Sequence, residues 1–326
     1  SAIGTTDALF HSAGINDFHE QLCGMTEGVV GVAAAFLDNY GDDASEEEQH
    51  VSEALERLLR AWSMLLNSAF GDVTTRCKLD AAGASEPLAD AVTRVFKCYV
   101  TAKVTEQLRG SGSGGARTAR DADGGAAEHS AEYVASHLQS VGLLGRERPD
   151  ATAAFLSDAM SPVVDHLNAC IPASMGGRAS DDDTPPEPPV HVCEALWYLL
   201  RIAGHFFADD DASERPCIPA ALCAHAVRAD GALQVQGLED TDQRANALVQ
   251  GDAFFALLNA LLSFARTIEA LIRAELDNQM PVTIPPSVVE SLVFVLHRYT
   301  ATYLAADPDM QADYTPAFDA LEAVVC

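Results

Sequence analysis

Basic residues are scarce in this chain: 20 Lys+Arg stand against 48 Asp+Glu, a formal charge of −28 over 326 residues. That deficit excludes a nucleic-acid backbone binder, because counterion release needs a basic face. It argues against docking on anionic membranes for the same reason. No run of about 18 uncharged apolar residues occurs, so the sequence predicts no bilayer span. The first residues lack a charged stretch followed by an apolar one, so no secretory leader is expected. Neither terminus looks natural: the chain starts at Ser1 and stops at Cys326 directly after an apolar helical run, as a piece of a longer polypeptide would.

Cysteine is present but unpatterned. None of the eight (Cys23, Cys77, Cys98, Cys170, Cys193, Cys217, Cys223 and Cys326) belongs to a CxxC pair. Most lie in apolar helical patterns and are expected to be buried, reduced thiols of a cytosolic or nuclear protein. Phosphate-loop and hydrolase signatures are missing as well. GSGSGG at 110–115 has no following Gly-Lys-Ser/Thr, there is no GxSxG, and His19-Glu20 lacks the second His of HExxH.

What is abundant is apolar residues in helical register. Hydrophobic residues make up 48% and the mean hydropathy is +0.04, enough for a large core despite the charge. Leu55, Leu58, Leu59, Trp62, Leu65 and Leu66 occupy one face of a helix. Ser45 ahead of Glu46-Glu47-Glu48 reads as its cap and acidic first turn. The same periodicity predicts helices over 8–22, 25–40, 46–69, 87–108, 129–143, 150–169, 190–209, 218–229, 244–277, 286–305 and 311–325, with no period-2 strand. Three stretches interrupt them. Residues 110–127 and 173–189 read as mobile loops, and 230–243 as a shorter polar connector. Helices of this length joined by short turns predict an all-α fold, an α-solenoid of HEAT-like helix pairs forming one continuous array over 1–326. An irregular helical bundle is the alternative.

Two readings of chemistry compete. His205 and Asp209 are i and i+4 on one helix, the spacing of a base and its orienter or of two metal ligands. A helical His bonded to a nearby carboxylate has the same spacing, and no other catalytic constellation accompanies the pair. Asp181-Asp182-Asp183 lacks the Gly and terminal Glu of a calcium loop. The expectation is therefore no enzyme, no cofactor and no metal. Recognition fits the acids better. Glu53 and Glu56 lie near the start of one helix, and Asp209, Asp210 and Glu214 at the end of another. Aligned along the edge of a helical array, they would focus a negative field on a Lys- or Arg-rich protein.

A family resemblance adds to this. Residues 196–219, LWYLLRIAGHFFADDDASERPCIP, resemble a stretch of the importin-β (karyopherin) superfamily, in particular its exportin-4 group: a Trp-bearing helix, an acidic end, then a GETPxIP turn. Trp197, Gly204, Asp209, Asp210, Glu214, Pro216, Ile218 and Pro219 match; Ser213 and Arg215 depart, standing where the group has Gly and Thr. LERLLRAWSMLL at 55–66, VFKCY at 95–99, LQSVGLLGR at 138–146 and LHRYTATYL at 296–304 are similar to strings of the same group in the same order. The exportin-7 group shares part of the pattern.

The resemblance implies a nuclear transport receptor that shuttles between nucleus and cytoplasm past nucleoporins. It would carry the hypusine-containing translation initiation factor 5A, a basic cargo, under control of Ran·GTP bound outside this segment. It also implies an acidic cargo pocket, for which Glu53, Glu56, Asp209, Asp210 and Glu214 are the candidates. Trp62, Trp197, Leu199, Phe264 and Leu296 are expected to pack helices rather than touch ligand. A helical scaffold for a constitutive basic partner, without Ran dependence, is the alternative.

Overall fold

The structure is a computed structural model that describes residues 15–39, 46–70, 77, 79–81, 83–109, 124–170, 190–208, 218–235, 240–278 and 284–304. Every regular element among them is helical, so the all-α expectation holds. The chain divides into two compact units, 1–148 and 149–326.

The first unit contains α1 (Ile15–Asn39), α2 (Glu46–Phe70), α3 (Ser85–Arg109) and α4 (Gly124–Gly145). α1 packs on α2 and α3, α2 packs on α4, and α3 packs on α4. The expected break near residue 23 is absent, and α1 runs straight through it. Cys23, Thr26 and Val30 are all buried on one side of the helix, and that shared face outweighs the roughly 1 kcal/mol that Gly24 costs a helix interior. The apolar stripe predicted for α2 is its core face: Leu55, Leu59, Trp62 and Leu66 are buried. Trp62 Nε1 donates to Thr26 Oγ1 at 2.9 Å, and that hydroxyl donates to Leu22 O at 2.7 Å. The indole's one polar group is thus satisfied inside the core. Before α3, Gly83 takes φ 67°, and the Gly83 and Ala84 N–H groups return to Asp80 O and Leu79 O. This is the left-handed closure of a helical turn, for which glycine carries no Cβ penalty. α4 starts at Gly124, earlier than expected, so 124–127 are helix rather than loop. Ala126, Ala127 and Glu128 are strong helix formers that extend it backwards. Of the other loop assignments, 110–123 and 173–189 lie outside the described residues, as do Ser45 and the helix expected over 311–325.

The second unit contains α5 (Pro149–Cys170), α6 (Val190–Phe207), α7 (Ala220–Val235), α8 (Thr241–Gly251), α9 (Ala253–Asn278), α10 (Pro286–Tyr299) and a π-helical turn at Thr300–Leu304. α5 packs on α6, α7 and α9; α6 packs on α10; α8 packs on α7 and α9. Two expectations change here. The helix expected over 244–277 is split at Asp252. That residue's Oδ1 accepts the Phe254 and Phe255 N–H groups at 2.9 and 3.4 Å, and its Oδ2 lies 2.9 Å from His225 Nε2. A carboxylate that caps a new helix start satisfies donors that a continuous helix would not expose. The connector expected at 230–243 is mostly helix, with only 236–239 outside the described residues. Asp230 is buried inside α7 and ion-paired to Arg244 of α8, which holds α7 helical past Gly231.

Among the described residues, one helix is long and apolar enough to cross a membrane by length and composition, Ala253–Arg273 within α9, with mean hydropathy 1.5. Its Phe254, Leu257, Leu258, Leu261, Phe264 and Ile268 are buried on one stripe, whereas Arg266, Thr267 and Glu269 are exposed. That is the amphipathic pattern of a helix seated on a protein core.

The cysteine expectation holds in part. Cys23, Cys193 and Cys223 are buried free thiols, Cys98 is half-buried and Cys77 is exposed. Burial pushes the Cys23 thiol up to about 12, aided by the charge of Glu27.

Candidate functional site

The acidic candidates divide by location. Glu53 is exposed on the second turn of α2, where its Oε2 accepts a hydrogen bond from Arg57 Nη2 at 3.2 Å, an i,i+4 pair. Glu56 is half-buried on the same helix. Asp209, Asp210 and Glu214 lie outside the described residues. So the α2 start presents Glu53 partly neutralised by its own helix neighbour. Other exposed acids are similarly engaged. Glu20 and Glu27 of α1 together hold Arg94 of α3, at 3.0 and 3.1 Å. Glu86 and Asp90 of α3 together hold Arg148, which follows α4. Part of the acidity is therefore spent joining helices within the first unit. No group of three or more His, Cys, Asp or Glu side chains among the described residues is placed to hold a metal ion.

Two of the strings that carry the resemblance, 196–219 and 296–304, have described residues that meet at the α6–α10 contact. α6 and α10 run in the same direction: Arg201 lies against Phe294, Gly204 against Phe294 and Arg298, and Phe207 against Tyr299. Gly204 sets the approach. A Cβ built on it would come within 2.6 Å of the Phe294 ring, so only glycine admits the ring without a shift. At the C-terminal end of α6 the last carbonyls have no partner within the helix. The neighbouring helix supplies donors to two of them. Arg298 Nη1 donates to Ala208 O at 3.0 Å, and the Tyr303 hydroxyl donates to Phe207 O at 2.6 Å. A guanidinium at a helix C-terminus also complements its dipole. The π-helical turn keeps Tyr303 in place, with its ring stacked on Tyr299 at 5.1 Å.

His205 belongs to this contact and not to a cleft. It is 3% exposed, with its ring 5.2 Å from that of Phe294. Asp209, its proposed partner, lies outside the described residues.

The packing expectations mostly hold: Trp62, Leu199 and Phe264 are buried. Leu296 is only half-buried. Trp197 is likewise only half-buried; it lies edge-on to Tyr198 with ring centroids 4.8 Å apart and carries the Arg201 guanidinium 5.5 Å from its centroid. Sequence reasoning passed over Arg201. The available signal was its i,i+4 spacing from Trp197, which places a cation beside an indole.

No family model matches the chain. The resemblance to the importin-β superfamily therefore rests on the quoted strings.

Proposed function

We propose that this chain is a segment of a nuclear transport receptor of the exportin-4 type, built of stacked HEAT-like helix pairs. On this reading it binds basic protein cargo, such as the hypusine-containing translation initiation factor 5A, for Ran·GTP-dependent export. It is a binding module without catalysis. The observation that carries the reading is the order of packing. In the first unit α1 pairs with α2 and α3 with α4, while α1 stacks on α3 and α2 on α4. In the second, α5 pairs with α6 while α9 stacks on α5 and α10 stacks on α6 in parallel. Two-helix repeats laid side by side produce this pattern, because each repeat buries its apolar faces only against its neighbours. The strings that resemble the family lie on those helices, and their buried residues, among them Trp62, Phe96, Val141 and Tyr299, form the contacts.

The charge of −28 supports a basic ligand. A long cation of the hypusine kind needs several carboxylates to replace its lost hydration. Such an attraction weakens with salt, because the groups are solvent-exposed. The test is binding of the hypusinated and unmodified factor to the full-length receptor, with and without Ran·GTP, at two ionic strengths. Tighter binding of the hypusinated form that requires Ran·GTP is expected. Binding indifferent to Ran·GTP would replace this reading with a constitutive scaffold.

A further inference from the structure

α8 and α9 are two helices that the chain comes close to building as one. The apolar periodicity runs through their junction. The hydrogen bonds that span it already have helical spacing: the Asp252 N–H donates to Leu248 O at 2.9 Å, and the Ala256 N–H donates to Asp252 O at 3.0 Å. One residue separates the two helices. Asp252 has φ −136° and ψ 126°, extended rather than helical. Turning that residue into the helical range would merge α8 with α9. The Phe254 and Phe255 N–H groups, now on the Asp252 carboxylate, would then find Gln250 O and Gly251 O by the ordinary i→i−4 pattern. The joint has room to turn, because a Cβ built on the preceding Gly251 would meet nothing within 4 Å.

Little apolar burial holds α8 in its bent position. Among its described side chains only Leu248 is fully buried, whereas Gln243, Asn246 and Gln250 are exposed. The named contacts that fasten it to α7 are charged and sit at its two ends. Near its start, Arg244 pairs with Asp230 of α7. Just past its end, Asp252 Oδ2 lies 2.9 Å from His225 Nε2 of α7. With Oδ2 engaged by His225, Oδ1 is left to cap the α9 donors, so the same carboxylate both ties α8 to α7 and supports the break. An element with few buried apolar contacts belongs to the low-stability end of a fold, and hinges are a few residues at element ends that absorb the change in φ and ψ. α8 and Asp252 meet both descriptions.

We propose that α8 is a hinged strap and that His225 is its latch. Latched, α8 packs on α7 and the chain bends at Asp252. Unlatched, Asp252 turns helical, and α8 continues the line of α9 and leaves α7. Opening separates Asp230 from Arg244 and turns Asp252 away from His225. Two carboxylates matched in the closed form are then free, one of them Asp230, which is 2% exposed when the strap is shut. The strap therefore masks acidity that opening restores. The balance between the two forms is set by the differential contacts of each, here the latch and the cap against the continuous helix.

Double electron–electron resonance on the whole 326-residue chain tests this. Nitroxides are placed on non-natural side chains at Gln243 of α8 and Ser263 of α9, both exposed, because the eight cysteines rule out thiol labelling. A continuous helix sets the two sites about 30 Å apart, at roughly 1.5 Å per residue, and the bent form is shorter. The parent chain is expected to show the short distance. His225→Leu removes the latch, and Asp252→Ala removes latch and cap together; each is expected to move the larger share of molecules to the long distance. His225→Gln keeps an amide donor in place of Nε2 and is expected to hold the short one. Far-UV circular dichroism shows which variants are folded. A short distance in whichever of His225→Leu and Asp252→Ala folds would overturn the proposal, as would identical distributions in His225→Gln and His225→Leu. Unfolding of both His225→Leu and Asp252→Ala would overturn it too, since His225 would then hold the fold rather than a hinge.

Discussion

The chain has two tryptophans, and they do opposite things. Trp62 is 0% exposed at the centre of the first unit, with its N–H on Thr26. Trp197 is only partly buried on the second unit and supports a cation. Both sit on amphipathic helices with the same periodicity, and both were expected to pack. The difference lies in the neighbours. α2 turns its Trp toward two helices of its own unit, whereas α6 turns its buried stripe, Leu196, Leu199, Leu200 and Ala203, toward the core and leaves Trp197 at the margin. A wide apolar stripe has a centre and an edge, and periodicity alone does not say which helix covers the edge.

Replacing each tryptophan by Ala breaks or sharpens that contrast with the largest expected effect. Trp62→Ala removes a fully buried indole and the hydrogen bond it donates to the Thr26 hydroxyl, for about 3–5 kcal/mol. Trp197→Ala costs less, about 2 kcal/mol in stability, because its ring is only partly buried. Urea denaturation followed by circular dichroism measures both. Equal losses would mean that the two sites are equally packed.

The same contrast shows what was legible beforehand. Helix identity was legible wherever apolar residues recur at i, i+3 and i+4, as from Leu55 to Leu66. The split at Asp252 was not, because a helix-capping carboxylate and a mid-helix Asp look alike until His225, 27 residues earlier, is brought beside it. The unbroken α1 was missed for the mirror-image reason: Gly24 punctuates locally, but burial of Cys23 and Thr26 decides. At the candidate site, Glu53 and Glu56 could be placed on a helix start, but the ion pair to Arg57 was not weighed. Arg201 was invisible because its significance depends on Phe294, which arrives from a helix nearly a hundred residues on.

Acid should strike the two units at different pH. Burial, with help from the charge of Lys103, lowers His137 in α4 to about 4. The unfolded chain binds that proton near pH 6.5 and the folded one does not, so stability falls as pH drops from about 6.5 to about 4, by up to about 3 kcal/mol. In the second unit, Asp252 is pushed up by burial, but the hydrogen bond and charge of His225 and the Phe254 and Phe255 N–H groups outweigh it, so its pKa lies below the usual carboxylate value. Its contribution is present above about pH 4 and is lost only as pH falls through the lowered value. His137→Phe should flatten the first loss and leave the second. Urea midpoints between pH 7 and pH 3 report both; an unchanged slope in His137→Phe between pH 6.5 and 4 would remove His137 as the cause.

The α6–α10 contact sets the next scale. Tyr303→Phe removes the donor from Phe207 O, and Arg298→Met removes the donor from Ala208 O, each at a buried helix end. Losses of about 1–3 kcal/mol are expected, the larger for Arg298 because the guanidinium also covers Phe294. Gly204→Ala tests the same contact from the other side. The helix gains up to about 1 kcal/mol in propensity, but the Phe294 ring must give way, so a net loss is expected. A stabilised Gly204→Ala would mean that the ring moves freely, and the tight approach of α6 and α10 would then hold nothing in register.

The surface joint in the first unit should be the weakest of all. Arg94 bridges Glu20 and Glu27, and the pair raises its pKa further. Yet its side chain is 49% exposed, and so is most of Glu20. Exposed ion pairs of this kind contribute about 0–1 kcal/mol, because water screens them and three long side chains lose freedom. Arg94→Gln should therefore cost less than 1 kcal/mol, and the cost should vanish in 1 M salt, where screening acts within about 3 Å. Urea midpoints at low and high salt check both statements. A loss that persisted in high salt would show that the Arg94 stem packs between α1 and α3. The first unit would then be locked by buried contacts at its rim as the second is at the end of α6.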